Sequence, residues 1–199
     1  MIDSDFGLFC SRYSLFGRDW FSCDDAARSA EETQLIVDEL LAREGERLAV
    51  VESALSGVLP FDSSMDKVVA LGQLLAKSRV VNGDRRESEV TLSLVHDFGC
   101  ALHRLLHEVD PEITWRFQRR AKRAVSFNRP VSARDNKFAG GGYVDVIWDS
   151  YGIINSAYLN GQELVPRFFS AFKTLIQGRL QVDLAFPESV LRVSDEGND

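Results

Sequence analysis

Cysteine is scarce in this chain. Cys10, Cys23 and Cys100 are three in 199 residues, an odd number with no CxxC spacing. That excludes a disulfide framework of paired cysteines and points to a reducing compartment. Long apolar runs are missing too; none approaches the roughly 20 residues of a membrane-spanning helix. The opening MIDSDFGLFC is acidic and has neither the positive start nor the apolar stretch of a secretory signal. Recognisable catalytic patterns are also lacking. There is no GxSxG, His103 is followed by Arg104 rather than the Glu of HExxH, and Gly140–Gly142 lacks the Lys-Ser/Thr of a phosphate-binding loop. These absences lean away from an enzyme and towards a cytoplasmic binding protein. Internal repeats are absent, and the only biased segment is the acidic end, SDEGND (194–199), expected to be a disordered tail. Residues 1–193 are expected to form one α+β domain.

Large rings and aliphatic side chains are plentiful. Hydrophobic residues make up 45% of the chain, with 13 Phe and three Trp to fill a core. Their spacing is mainly helical in the first half. Leu35, Ile36, Leu40 and Leu41 mark a helix from about Asp24 to Arg43, interrupted by Gly45. Leu48, Val51 and Leu55 mark a second run ending near Gly57, and Ser63 or Ser64 can cap a third helix through Val68, Leu71 and Leu75. The aromatic stretch Phe6–Phe21 has no clear period and reads as a lid over the core, either a short helix or extended chain.

After Pro111 the pattern changes. Ile113, Trp115 and Phe117 alternate with polar residues, a strand signal, and a returning strand is expected over Ala121–Phe127, with another over Val131–Arg134. Tyr143–Trp148, Ile153–Leu159 and Leu180–Phe186 also read as strands, and residues 163–177 as a helix ended by Gly178. The expected class is therefore α+β: about four helices packed on an antiparallel sheet, with one late helix.

Two constellations could carry chemistry. The first lies on the clearest helix, Val90–Val109, which holds all three histidines. Its leucine face is broad, and His96, Cys100, His103 and His107 follow at i, i+4, i+7 and i+11 on the side away from the apolar centre. His103 and His107 are spaced to share zinc or another divalent metal, with Asp145 or Asp149 as further ligands from elsewhere. All four cannot hold one ion, because the helix rises about 16 Å between His96 and His107. The stripe can equally be a polar helix face or a pH-sensitive interface. Gly99, costly inside a helix, implies a second backbone packed close by.

The second constellation is basic. Residues 116–137 carry eight cations against one acid, a net +7, while the rest of the chain carries 15 cations against 29 acids, a net −14. Arg116, Arg119, Arg120, Lys122 and Arg123 form its densest part and could bind an anion, a nucleic acid or an acidic partner. The same residues can be solvated surface positions facing the protein's own acidic helices. Nucleic acid is not favoured, because alternation turns Trp115 and Phe117 away from the cations.

The leading expectation is a cytoplasmic, bacterial protein-interaction domain whose acidic helical half steers a basic partner protein. A toxin-neutralising immunity protein is one concrete form of it.

Overall fold

The computed structural model describes residues 2–15, 29–56, 58, 62–82, 89–117, 129–134 and 142–192. Among these, six α-helices and one small antiparallel sheet make a mostly helical α+β fold. No helix among them is long and apolar enough to cross a membrane.

The aromatic N-terminus settles as helix α1, Ile2–Arg12. Phe6, Phe9 and Tyr13 fall on one side and are buried, while Gly7 faces outward with open space around it. Helix α2, Ala30–Leu55, starts at a reciprocal cap: Ser29 Oγ accepts from the Glu32 amide, and the Glu32 carboxylate accepts from the Ser29 amide. The expected break at Gly45 does not occur. That glycine is exposed and meets nothing, so its cost of about 1 kcal/mol is outweighed by burial of Leu48, Val51, Ala54 and Leu55 further along the same helix. The expected start near Asp24 lies outside the described residues.

Helix α3, Ser64–Asn82, is capped by Ser63, the first of the two serines its sequence offered; Ser63 Oγ accepts from the Asp66 amide and Asp66 accepts from the Ser63 amide. Helix α4, Glu89–Val109, is the centre of the molecule. It packs most extensively against α3 and against α5, Val146–Leu159, and also touches α2 and the sheet. Fourteen of its 21 residues are buried, so it has no broad polar face.

The sheet has the order β1-β2-β3, from Ile113–Phe117, Pro130–Arg134 and Tyr143–Val144, all antiparallel. Ile113 and Trp115 point inward and Arg116 outward, the alternation read from the sequence. Pro130 opens β2 opposite Phe117, a first position where its missing N–H is tolerated. The returning strand expected over Ala121–Phe127 lies outside the described residues.

The C-terminal half departs from expectation in three places. Tyr143–Trp148 and Ile153–Leu159 are not two strands; only Tyr143 and Val144 pair, and α5 follows at once. Asp145 starts that helix by accepting from the Trp148 amide. The buried set Val146, Ile147, Ser150, Ile154 and Ala157 has helical spacing beneath its β-branched composition. Helix α6, Leu164–Leu180, runs past Gly178 and ends where Gln181 takes the left-handed conformation, φ 57°. Residues 181–186 alternate as expected, with Val182, Leu184 and Phe186 buried, but the segment lies on the core as irregular chain rather than in the sheet.

Three glycines mark where elements meet too closely for a side chain. A Cβ on Gly99 would come within 2.6 Å of Ile147 Cγ1 and 3.2 Å of the Ile147 Cα, so α4 and α5 touch backbone to backbone there. A Cβ on Gly72 would meet the Phe169 ring at 2.4 Å. On Gly142 it would lie 1.4 Å from the Arg179 carbonyl oxygen, which ties the entry to β3 against α6. The ring cluster of Phe98, Phe168 and Phe172, with centroids 4.8–5.3 Å apart, fills the space between α4 and α6.

The Gly99 contact gives a direct test. Gly99→Ala gains helix propensity of about 1 kcal/mol on an isolated helix. Here it should instead destabilise, by about 1–3 kcal/mol for overpacking, and Ile147→Ala should relieve part of that loss in the double variant. Urea unfolding of the four proteins checks it; a Gly99→Ala protein more stable than the parent would refute the backbone contact.

Candidate functional site

Helix α4 draws its polar residues into two buried clusters rather than one stripe. The first is centred on Asp97, which has no exposed surface. Arg47 from α2 grips it with both arms, Nε to Oδ1 at 2.6 Å and a terminal nitrogen to Oδ2 at 2.7 Å. The same guanidinium donates to Ser93 Oγ at 3.1 Å and to the Ser14 carbonyl at 2.6 Å, and lies over the Tyr13 ring. Tyr13 donates its hydroxyl to Asp97 and shares a 2.8 Å hydrogen bond with Ser93. Burial and then the Asp97 charge push the Tyr13 phenol well above its ordinary range, so it stays protonated.

His96 and Cys100 belong to this buried region. His96 Nδ1 lies 3.7 Å from Cys100 Sγ and 3.7 Å from Asp97 Oδ1. Cys100 is fully buried, and that burial, then Asp97, raises its thiol well above the usual range. A thiol held protonated in this way is a poor nucleophile and a poor metal ligand.

The second cluster sits one to two turns further along. His103, 5% exposed, stacks on Trp115 of β1 at 4.0 Å and shares a 2.8 Å hydrogen bond between Nδ1 and Ser132 Oγ of β2. Burial, with His107 nearby, lowers its pKa to about 3, so the ring is neutral at physiological pH. His107 is exposed and donates Nδ1–H to the Ile113 carbonyl at 2.8 Å, which places the lone pair of its neutral ring on Nε2. Glu44 of α2 lies beside Trp115, Arg104 and His107, and burial raises its pKa.

The side of α4 read as turned away from the core is thus largely inside it. His96, Cys100 and His103 are covered, and His107 is at the edge. The sequence period located the stripe correctly but could not show the α2, α5 and sheet layer that covers it. Among the described residues, no group of three or more His, Cys, Asp or Glu side chains is arranged to hold a metal ion.

Asp145 and Asp149 are brought together at the start of α5. Asp145 caps the helix and accepts from Arg129 Nε at 3.0 Å, while Arg129 lies 4.6 Å over the Trp148 ring. Asp149 has one buried carboxylate oxygen without a hydrogen bond. Burial and then the neighbouring Asp145 charge raise its pKa to about 6.

The basic segment is dispersed where it is described. Arg116 is exposed on the outer side of β1, Arg129 is buried against Asp145, and Arg134 pairs with Asp110 and lies 4.0 Å from Glu112. Arg119, Arg120, Lys122 and Arg123 lie outside the described residues.

Helix α2 carries the opposite charge on an open face. Glu31, Leu35, Asp38, Glu39, Ala42 and Glu46 are all exposed and recur at helical spacing. Leu35, 67% exposed, is the most exposed large apolar side chain among the described residues and has acids one turn to either side. The chain matches no protein-family model, no curated protein and no solved structure.

The buried ion pair and the shifted groups make two predictions. Arg47→Met should destabilise by about 3–5 kcal/mol by leaving Asp97 buried and unpaired, and Asp97→Leu in the same chain should recover a large part of that loss. Chemical denaturation of single and double variants reads it.

The pH dependence follows from opposite shifts. His103 has a folded pKa of about 3, below its ordinary 6.5, so its contribution is complete above pH 6.5 and is lost as pH falls towards 3. Asp149 has a folded pKa of about 6, above its ordinary 3.8, so its penalty grows as pH rises from 3.8 to 6 and is full above that. His103→Phe should flatten the acid limb of stability. Asp149→Asn should stabilise at pH 7 by on the order of 1–2 kcal/mol and change little at pH 4. Melting curves across this range that are parallel for parent and variants would contradict both assignments.

Proposed function

We propose that this chain is a protein-interaction domain that binds a basic partner through the exposed face of α2. The observation that carries the reading is Leu35, an apolar side chain in open water on a helix face with Glu31 one turn before it and Asp38 and Glu39 one turn after it. A solvent-exposed apolar anchor ringed by charge of one sign is how interfaces divide their work. The anchor supplies buried area once the partner docks. The surrounding charge speeds encounter with a partner of opposite sign and rejects like-charged surfaces.

Placement on the protein supports the same use. The face belongs to the long helix whose C-terminal half is locked into the core through Arg47, Leu48 and Val51. It therefore continues directly from an anchored segment of the same helix. Over Glu31–Glu46 it extends about 23 Å, long enough for one side of a standard interface. The face carries four carboxylates and one exposed cation, Arg43, which pairs with Glu39 at 3.1 Å. A toxin-neutralising immunity protein in a bacterial cytoplasm is the concrete form we favour. Such a protein need only present a complementary acidic surface and needs no catalytic group.

The expected outcome is salt-sensitive association. Immobilised protein should capture the same basic partner repeatedly at low ionic strength and less of it at high ionic strength. Leu35→Ser and the pair Asp38→Lys with Glu39→Lys should each weaken the captured complex by at least about tenfold, equivalent to about 1.4 kcal/mol, without changing the melting temperature. Capture that is irreproducible, or that is indifferent to all these substitutions, would end the proposal.

A further inference from the structure

A cavity of about 670 Å³ lies between α1, α3 and the start of α6, on a different part of the molecule from the exposed α2 face. We infer that it binds a single linear hydrocarbon chain, such as the acyl chain of a fatty acid, with the polar head left at the mouth. Three features of the cavity lead to that ligand class.

The first is its size. The volume falls within the roughly 300–1,000 Å³ typical of small-molecule sites. The second is its shape. Gln73, Ala76, Lys77 and Val80 of α3 line it at i, i+3, i+4 and i+7, so it follows the helix axis for about 10 Å. At that length the volume leaves a space nearly as wide as it is long, which a flexible chain fills by folding and a rigid ring system does not.

The third is the gradient of polarity. The deepest lining side chains, Leu74, Ala76 and Phe6, are buried and apolar, and Leu164 and Val165 form a half-buried apolar wall. Among the polar lining groups, Gln73 and Lys77 are half-buried on α3, and Gln162 and Glu163 are exposed. Water needs two to four polar partners to be held, and this floor offers no side chain that can supply them. Left empty, the same surface forfeits dispersion contacts on one side. A ligand with an apolar body and one polar end satisfies both regions at once.

A fluorescent fatty acid, dansyl-undecanoate, titrated into the 199-residue protein tests this. The expected result is a saturable rise in emission with one probe per chain, reversed by dodecanoate. Ala76→Trp, which fills the floor, should weaken binding by at least about tenfold, a cost of about 1.4 kcal/mol. Val165→Trp on the wall gives a second, less buried obstruction should the first variant fold poorly, and circular dichroism separates the two cases. Val81→Ser, on α3 but outside the cavity, should bind as the parent does. No saturable binding by the parent would overturn the inference. So would undiminished binding by a folded Trp variant, or an equal loss in Val81→Ser, since either result places the probe on the general surface.

Discussion

Asp97 is a carboxylate with no exposed surface, placed in the middle of the helix that every other layer covers. An isolated charge in that position would cost several kcal/mol, so the fold depends on what surrounds it. The two-armed Arg47 contact supplies the compensating charge, and Ser93, Tyr13 and the Ser14 carbonyl add further hydrogen bonds to the pair. The network fixes α1, α2 and α4 relative to one another. A slip of α2 by one residue would turn Arg47 by about 100° and leave both charges stranded, whereas the apolar contacts alone would tolerate smaller shifts. The same interaction anchors the C-terminal half of α2.

Close approach is the complementary constraint. Where Gly99 meets Ile147 and Gly142 meets Arg179, backbones touch, and these contacts set how near α5 and the sheet lie to the centre. That proximity closes over His96, Cys100 and His103 and turns potential ligands into core groups. Trp115 and Ser132 complete the enclosure of His103 from the sheet side. A neutral, stacked histidine with a serine partner is a structural element of this junction, and His107, one turn on, is its water-facing edge.

Charge separation survives folding only in part. The acidic side is organised: α2 displays carboxylates on one open face. The basic side is partly internal, since Arg129 and Arg134 are engaged by Asp145 and Asp110. Among the described residues, the acidic charge is therefore most coherent on α2.

Sequence by itself determined the α+β class, the Val90–Val109 helix to within a residue, a serine cap at Ser63 or Ser64, the inward Trp115 and the sense of a close neighbour at Gly99. Each of these is local: periodicity, capping chemistry and the absence of a Cβ act within a few residues, so they can be read along the chain. Tertiary structure alone decided that α2 runs through Gly45, that α5 is a helix despite its β-branched residues, and that the histidine stripe is covered. Those outcomes hinge on contacts between residues far apart in the chain. Gly45 is carried because Arg47 reaches Asp97, fifty residues away, and Ile147 is helical against Gly99. Burial is set by neighbours that a periodic pattern does not name. Whether a polar side chain ends in water or in the core is therefore decided only when the layers meet.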